Sequence, residues 1–162
     1  MPDGRLATAD DASLDWLSES PEATRIFAAA LAVAARPGDV LCLWGELGAG
    51  KTVFAKGFGA GLGVRDTISS PSFVLMAEYQ GRLPLFHLDL YRLADAIDAW
   101  GGGLLDERQE RGVTLVEWPE RLGAALAVGR LDVRIRGTGD EPRTIRLRAG
   151  DDRHARYLEV LG

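Results

Sequence analysis

Gly45-Glu46-Leu47-Gly48-Ala49-Gly50-Lys51-Thr52 follows the pattern G-x-x-x-x-G-K-[ST] at every defined position. Each residue type has a mechanical role. Glycines let backbone N–H groups turn inward and approach phosphate oxygens with no Cβ in the way. A lysine at position 51 brings a point charge to the β/γ-phosphates, and a hydroxyl at position 52 suits Mg²⁺. The helix that follows aims its positive end at the same anion. The flanks agree with the motif. Val40-Leu41-Cys42-Leu43-Trp44 is an apolar run of buried-strand type, and Val53 to Gly61 reads as a helix. Of 19 Lys plus Arg, only Lys51 and Lys56 are lysine. Lysine therefore stands where a flexible point charge suits phosphate and a planar fork does not.

Outward from the loop, Pro21 to Ala35 predicts a helix with Ser20 as N-cap and Pro21 in the first turn. Pro37-Gly38-Asp39 ends it and turns the chain into the first central strand. Phe73 to Tyr79 and Leu83 to Leu90 are extended runs joined by Gln80-Gly81-Arg82, a hairpin signal. Leu93 to Leu105 holds a weak helix broken by Gly101-Gly102-Gly103. Val113 to Trp118 is another buried strand, and Leu131 to Ile135 with Thr144 to Leu147 forms a closing hairpin. The expected fold is α/β: a P-loop NTPase-like three-layer domain with a central, mostly parallel sheet and antiparallel hairpin additions. Residues 1–16, polar and Asp-rich, read as a flexible arm, and residues 17–162 as a single ATPase domain.

A phosphate-binding loop needs an acid at the end of a neighbouring strand. Two runs supply one: Leu85-Phe86-His87-Leu88-Asp89 and Val113-Thr114-Leu115-Val116-Glu117. Glu117, on the strand richer in β-branched residues, is assigned to Mg²⁺, and Asp89 to the attacking water or the γ-phosphate. Thr52 and Glu117 are thus the expected metal residues, with Asp89 and Glu117 catalytic. Gly45, Gly48, Ala49, Gly50, Lys51, Thr52 and Asp89 are the expected nucleotide contacts. Ser69-Ser70-Pro71-Ser72 lies where nucleotide switches sense γ-phosphate. His87 shares a strand face with Asp89 and reads as a packed or hydrogen-bonded histidine. Arg92 reads as a partner for Asp89, and Trp44 and Trp118 as core aromatics.

Bulk properties narrow the function classes. The net charge of −5 in 162 residues disfavours a broad basic surface for nucleic acid. The lone Cys42 sits inside a strand, as a reduced thiol would, and no stretch has the length of a membrane span or the layout of a signal peptide, so a cytoplasmic protein is expected. The chain contains no Asn, which removes the Asn-Lys-x-Asp guanine reader and favours adenine. A small-molecule P-loop kinase is the alternative enzyme class, though no Arg-rich lid stands out before Asp89.

Four blocks in order carry a family resemblance: Leu-Trp-Gly-Glu-Leu-Gly-Ala-Gly-Lys-Thr at 43–52, Ser-Pro-Ser-Phe at 70–73, Phe-His-Leu-Asp-Leu-Tyr-Arg-Leu at 86–93 and Leu-Val-Glu-Trp-Pro at 115–119. Over about residues 17 to 148 the chain resembles the bacterial tRNA threonylcarbamoyladenosine biosynthesis ATPases, the TsaE family. The resemblance implies a small P-loop ATPase whose hydrolysis of Mg-ATP resets a transferase complex. That complex modifies the adenosine beside the anticodon. It also implies two partners of the actin-like ATPase superfamily, with tRNA reached only through them and no membrane. By position, Gly48 to Val53 bind phosphates, Thr52 and Glu117 hold Mg²⁺, and Asp89 lies beside the γ-phosphate. The segments near Glu19-Ser20 and Pro142-Arg143 border adenine. Val53 departs from the second Thr of many relatives, and Ala96 to Gly103 is less acidic and richer in glycine than usual.

Overall fold

The computed structural model describes residues 5–6, 12–69, 76–91 and 107–160. Eight strands form one sheet: β1 (Arg5–Leu6), β2 (Ser13–Ser18), β3 (Val40–Trp44), β4 (Met76–Gln80), β5 (Pro84–Asp89), β6 (Val113–Glu117), β7 (Leu131–Arg136) and β8 (Arg143–Ala149), in spatial order β1-β2-β8-β7-β3-β6-β5-β4. The central strands β7, β3, β6 and β5 run parallel. Antiparallel pairs β4–β5, β7–β8, β2–β8 and β1–β2 extend both flanks. The expected α/β architecture is therefore present, with a parallel centre and hairpin additions.

Leu41, Cys42 and Leu43 are fully buried, because β3 lies between two parallel neighbours and both of its faces are covered. Burial pushes the Cys42 thiol up to about 12. Helices α1 (Pro21–Leu31), α2 (Lys51–Gly61) and α3 (Asp152–Glu159) contribute to the larger core, where Phe27, Phe54, Phe58 and Tyr157 meet Leu43, Leu85 and Leu115. On the opposite face Cys42, Phe86, Leu88 and Val116 pack with Leu122 of a 3-10 segment, Pro119–Ala125. The capping signals of α1 are realised: Ser20 Oγ accepts from Ala23 N at 3.0 Å, and Pro21 opens the helix.

One boundary is corrected. Residues 13–16 belong to a strand, not to a flexible arm, and β2 pairs along its whole length with β8. Leu14 and Trp16 are buried, and the Trp16 ring lies 4.9 Å from that of Phe27. Asp15, which made the segment look solvated, accepts two bonds from Arg146 at 2.6 and 2.9 Å; that hydrogen-bonded partner holds its carboxyl below the usual carboxylate range. The weak helix at 93–105, the Ala96–Gly103 departure, Arg92 and the Ser70–Phe73 part of the switch-like segment lie outside the described residues.

Helix α2 is held close to α1. A Cβ on Gly57 would lie 2.4 Å from the Arg25 carbonyl oxygen and 2.6 Å from its Cα, both unyielding backbone. Gly57→Ala is therefore expected to destabilise the fold by about 1–3 kcal/mol, the scale of an overpacked contact. That cost outweighs the ~1 kcal/mol that alanine gains over glycine in a helix. Urea denaturation checks it, and an unchanged or raised midpoint would refute the close approach.

Candidate functional site

The parallel strands end on one edge of the sheet, where ligand sites of open α/β sheets form. Gly45 to Gly50 leaves β3 there and enters α2 at Lys51. Gly48 (φ +83°) and Gly50 (φ +114°) are left-handed, and a Cβ at either would meet nothing within 4 Å. Their constraint is conformational, and the space beside them is open to a ligand. The rear of the loop is braced by Arg143 of β8, whose Nε donates to the Ala49 carbonyl at 2.9 Å and Nη2 to the Gly48 carbonyl at 3.4 Å.

A cavity of about 400 Å³ opens in front of the loop, lined by Gly48, Gly50, Lys51, Thr52 and Val53 on one side and by Asp89, Tyr91, Glu117 and Trp118 on the other. Lys51 is only 5 % exposed. Its Nζ donates to the Gly45 carbonyl at 2.6 Å and stands 3.4 Å from the centre of the Trp118 ring. Burial pulls the Lys51 ammonium below the usual lysine range, while Glu117, Glu120, Asp89 and Glu46 push it back up.

The Thr52 hydroxyl donates to Glu117, forked at 3.3 Å to each carboxylate oxygen. Glu117 is buried, and its Oε2 also lies 2.6 Å from His87 Nε2. In the β5–β6 register Asp89 stands directly beside Glu117, so the two acids end neighbouring strands at one level. Asp89 Oδ1 accepts from Tyr91 N at 3.1 Å.

The structure thus brings Gly48, Gly50, Lys51, Thr52, Val53, Asp89 and Glu117 to one cavity. Gly45 and Ala49 lie behind the loop and line a second recess of about 280 Å³ with Trp44, Arg134 and Trp118. Arg143, in a segment expected to border adenine, spends its guanidinium on the loop carbonyls. Trp118 does more than fill core. It holds a left-handed backbone (φ +60°, ψ +51°), unusual for a bulky residue, and separates the two recesses. The sequence offered one sign of this, its place directly after a strand-end acid.

This donor set suits a phosphate with a hard divalent cation. The glycine loop, one ammonium and one hydroxyl line one side of the cavity, and two carboxylates line the other. Among the described residues no group of three metal-ligating side chains forms a closed cage. Mg²⁺ does not require one, since it keeps water and takes phosphate oxygens beside one or two carboxylates.

The family model for the threonylcarbamoyl adenosine biosynthesis protein TsaE matches residues 18–145. The chain belongs to the TsaE family. A TsaE of Bacillus subtilis is 43 % identical over 150 residues, covering 91 % of this chain and 93 % of that one. A TsaE of Streptomyces coelicolor is 41 % identical over 120 residues, covering 72 % and 81 %. The crystal structure of Bacillus subtilis YdiB superposes with a TM-score of 0.76 at 39 % identity, over 92 % of this chain and 93 % of that chain. The TsaE match includes the glycine-rich loop, both strand-end acids and Arg143. Among the described residues no helix is long and apolar enough to cross a membrane.

Proposed function

We propose that this chain binds and hydrolyses Mg-ATP to drive cycling of the complex that forms threonylcarbamoyladenosine beside the anticodon of tRNA. Its membership of TsaE supports the pathway. The convergence of Lys51, Thr52, Asp89 and Glu117 on one cavity beneath a left-handed glycine loop supports the chemistry, and is the observation that carries the reading.

In this reading Lys51 Nζ leaves the Gly45 carbonyl and the Trp118 ring for the β/γ-phosphate oxygens. Loop N–H groups and the N-terminus of α2 hold the remaining oxygens. Four carboxylates, Glu46, Asp89, Glu117 and Glu120, act electrostatically on a single ammonium. A triphosphate alone would meet repulsion there, so a divalent cation must accompany it. Thr52 and Glu117 would hold the Mg²⁺, which supplies charge neutralisation at the phosphates. Asp89 is placed to orient the attacking water.

The cavity mouth favours a protein partner. Leu47 is 71 % exposed and Tyr91 is also exposed, both at the rim. These two exposed side chains offer apolar contact points beside the nucleotide site to a protein partner. The partners are the threonylcarbamoyl-transferase subunits of the actin-like ATPase superfamily.

Pull-downs of those subunits with ATP, ADP and no nucleotide test this. Recovery should be greatest with ATP, free tRNA should bind weakly, and ATP turnover should rise when the subunits are added. Equal recovery in all three states, with stoichiometric phosphorylation of a small metabolite, would make the chain a kinase instead.

A further inference from the structure

We propose that His87 is a positioning residue for Glu117, holding that carboxylate in the orientation that receives the divalent cation; this rests on the Mg-nucleotide reading above. His87 is fully buried on β5, and residues 85, 113 and 115 of the same sheet face enter the apolar core under α2. An aliphatic side chain would suit that environment. Instead the ring places Nε2 2.6 Å from Glu117 Oε2, while Nδ1 has no hydrogen-bond partner among the described residues. A buried polar atom left bare is unfavourable and persists where the group does something that outweighs it.

What it does can be read from the two bonds on Glu117. The Thr52 bond is forked and long, 3.3 Å to each oxygen, so it restrains the carboxylate weakly. The His87 contact is the short one, and it fixes which oxygen points into the sheet. Oε2 carries the ring and one arm of the Thr52 fork, and Oε1 carries the other arm of that long fork. Carboxylates that ligate metals are themselves held by hydrogen bonds, and losing such an outer partner typically weakens metal binding 10–100-fold.

The same geometry fixes a tautomer. An ionised carboxylate only accepts, so the ring proton facing it sits on Nε2. The other of the chain's 2 histidines, His154, is arranged oppositely. Its Nε2 accepts from Val40 N at 3.1 Å, which leaves Nδ1–H to donate to Asp151 Oδ1 at 2.6 Å. One histidine is therefore an internal reference for the other.

Two measurements on the full chain test the proposal. In ¹⁵N imidazole spectra His87 should be protonated at Nε2 with a bare Nδ1, and His154 should show Nδ1–H. Adding Mg²⁺ to the ADP complex prepared in EDTA should shift the His87 nitrogens and leave those of His154 in place. A proton on Nδ1 alone, or no Mg²⁺-dependent shift, overturns the proposal without any variant. In Mn²⁺ titrations of the ADP complex followed by electron paramagnetic resonance, His87→Leu should weaken Mn²⁺ about 10–100-fold. ADP affinity in EDTA should stay within about twofold, because the ring does not grip the nucleotide. His87→Gln, which returns an N–H near the Nε2 position, should recover most of the loss. Wild-type Mn²⁺ affinity in His87→Leu, or equal weakness in the Gln and Leu variants, overturns the positioning role. If wild-type protein with ADP takes up no Mn²⁺ at all, the Mg-nucleotide reading itself falls. If His87→Leu does not fold, the wild-type spectra decide alone.

Discussion

Lys51→Ala is expected to lower ATP and ADP affinity by about 100-fold, the equivalent of ~3 kcal/mol. The side chain is almost wholly buried, yet its ammonium uses one carbonyl acceptor and one aromatic face. Neither contact pairs the ammonium with an anion, as a phosphate oxygen would, so the ammonium moves to phosphate when one arrives. Around it stand four acids that act on this cation. Truncation removes the attractive charge and leaves the repulsive ones, which is why the loss should exceed that of a single neutral hydrogen bond. Lys51→Arg should not rescue, since a planar fork cannot follow the stem into a cleft sized for a point charge. Isothermal titration with ADP reads the effect directly. Wild-type affinity in Lys51→Ala would remove the glycine-rich loop from nucleotide binding.

The parts of this site legible in the sequence are those whose signal is local. Val40 to Thr52 spells strand, loop and helix within 13 residues of contiguous chain, and each step is dictated by side-chain type. The two acids are legible because a phosphate-binding loop needs an acid at the end of a neighbouring strand, and two apolar runs end in one. Their adjacency was not: Asp89 and Glu117 meet through the β5–β6 register, which depends on the whole sheet order.

Long-range pairing accounts for the misreadings. The segment 13–16 looks solvated because Asp15 is charged, and the Arg146 that compensates it is 131 residues away. Arg143 reaches Ala49 across 94 residues, and no local pattern announces that an arginine will brace a glycine loop. His87 is both packed and hydrogen-bonded, as its strand context implies, but its partner, Glu117, is 30 residues distant on the next strand. Trp118 packs against the smaller core as an aromatic should, and its left-handed backbone also brings the ring beside Lys51. Composition reports that an aromatic tends to be buried, not what its face will meet.

The second large effect concerns chemistry more than binding. Glu117→Ala and Asp89→Ala are each expected to lower ATP turnover in the complete system by about 100-fold or more, the scale of losing one preorganised electrostatic or water-orienting group. Affinity for ADP in EDTA should not fall in either, because each variant removes a negative charge beside the phosphates and leaves Lys51 and the glycine loop in place. The two should then part company. Glu117 is buried and bonded to the Thr52 hydroxyl, so its loss should raise the Mg²⁺ concentration needed for half-maximal turnover. Asp89 is less buried and accepts from the Tyr91 backbone at the cavity edge. Its loss should lower turnover at every Mg²⁺ concentration and leave the half-maximal value in place, as expected of a group that acts on water. Mg²⁺ titrations of steady-state turnover separate the two patterns. If Asp89→Ala shifts the Mg²⁺ requirement and Glu117→Ala does not, the roles are exchanged. If either variant turns over ATP at the wild-type rate, that residue is a strand-end acid and nothing more.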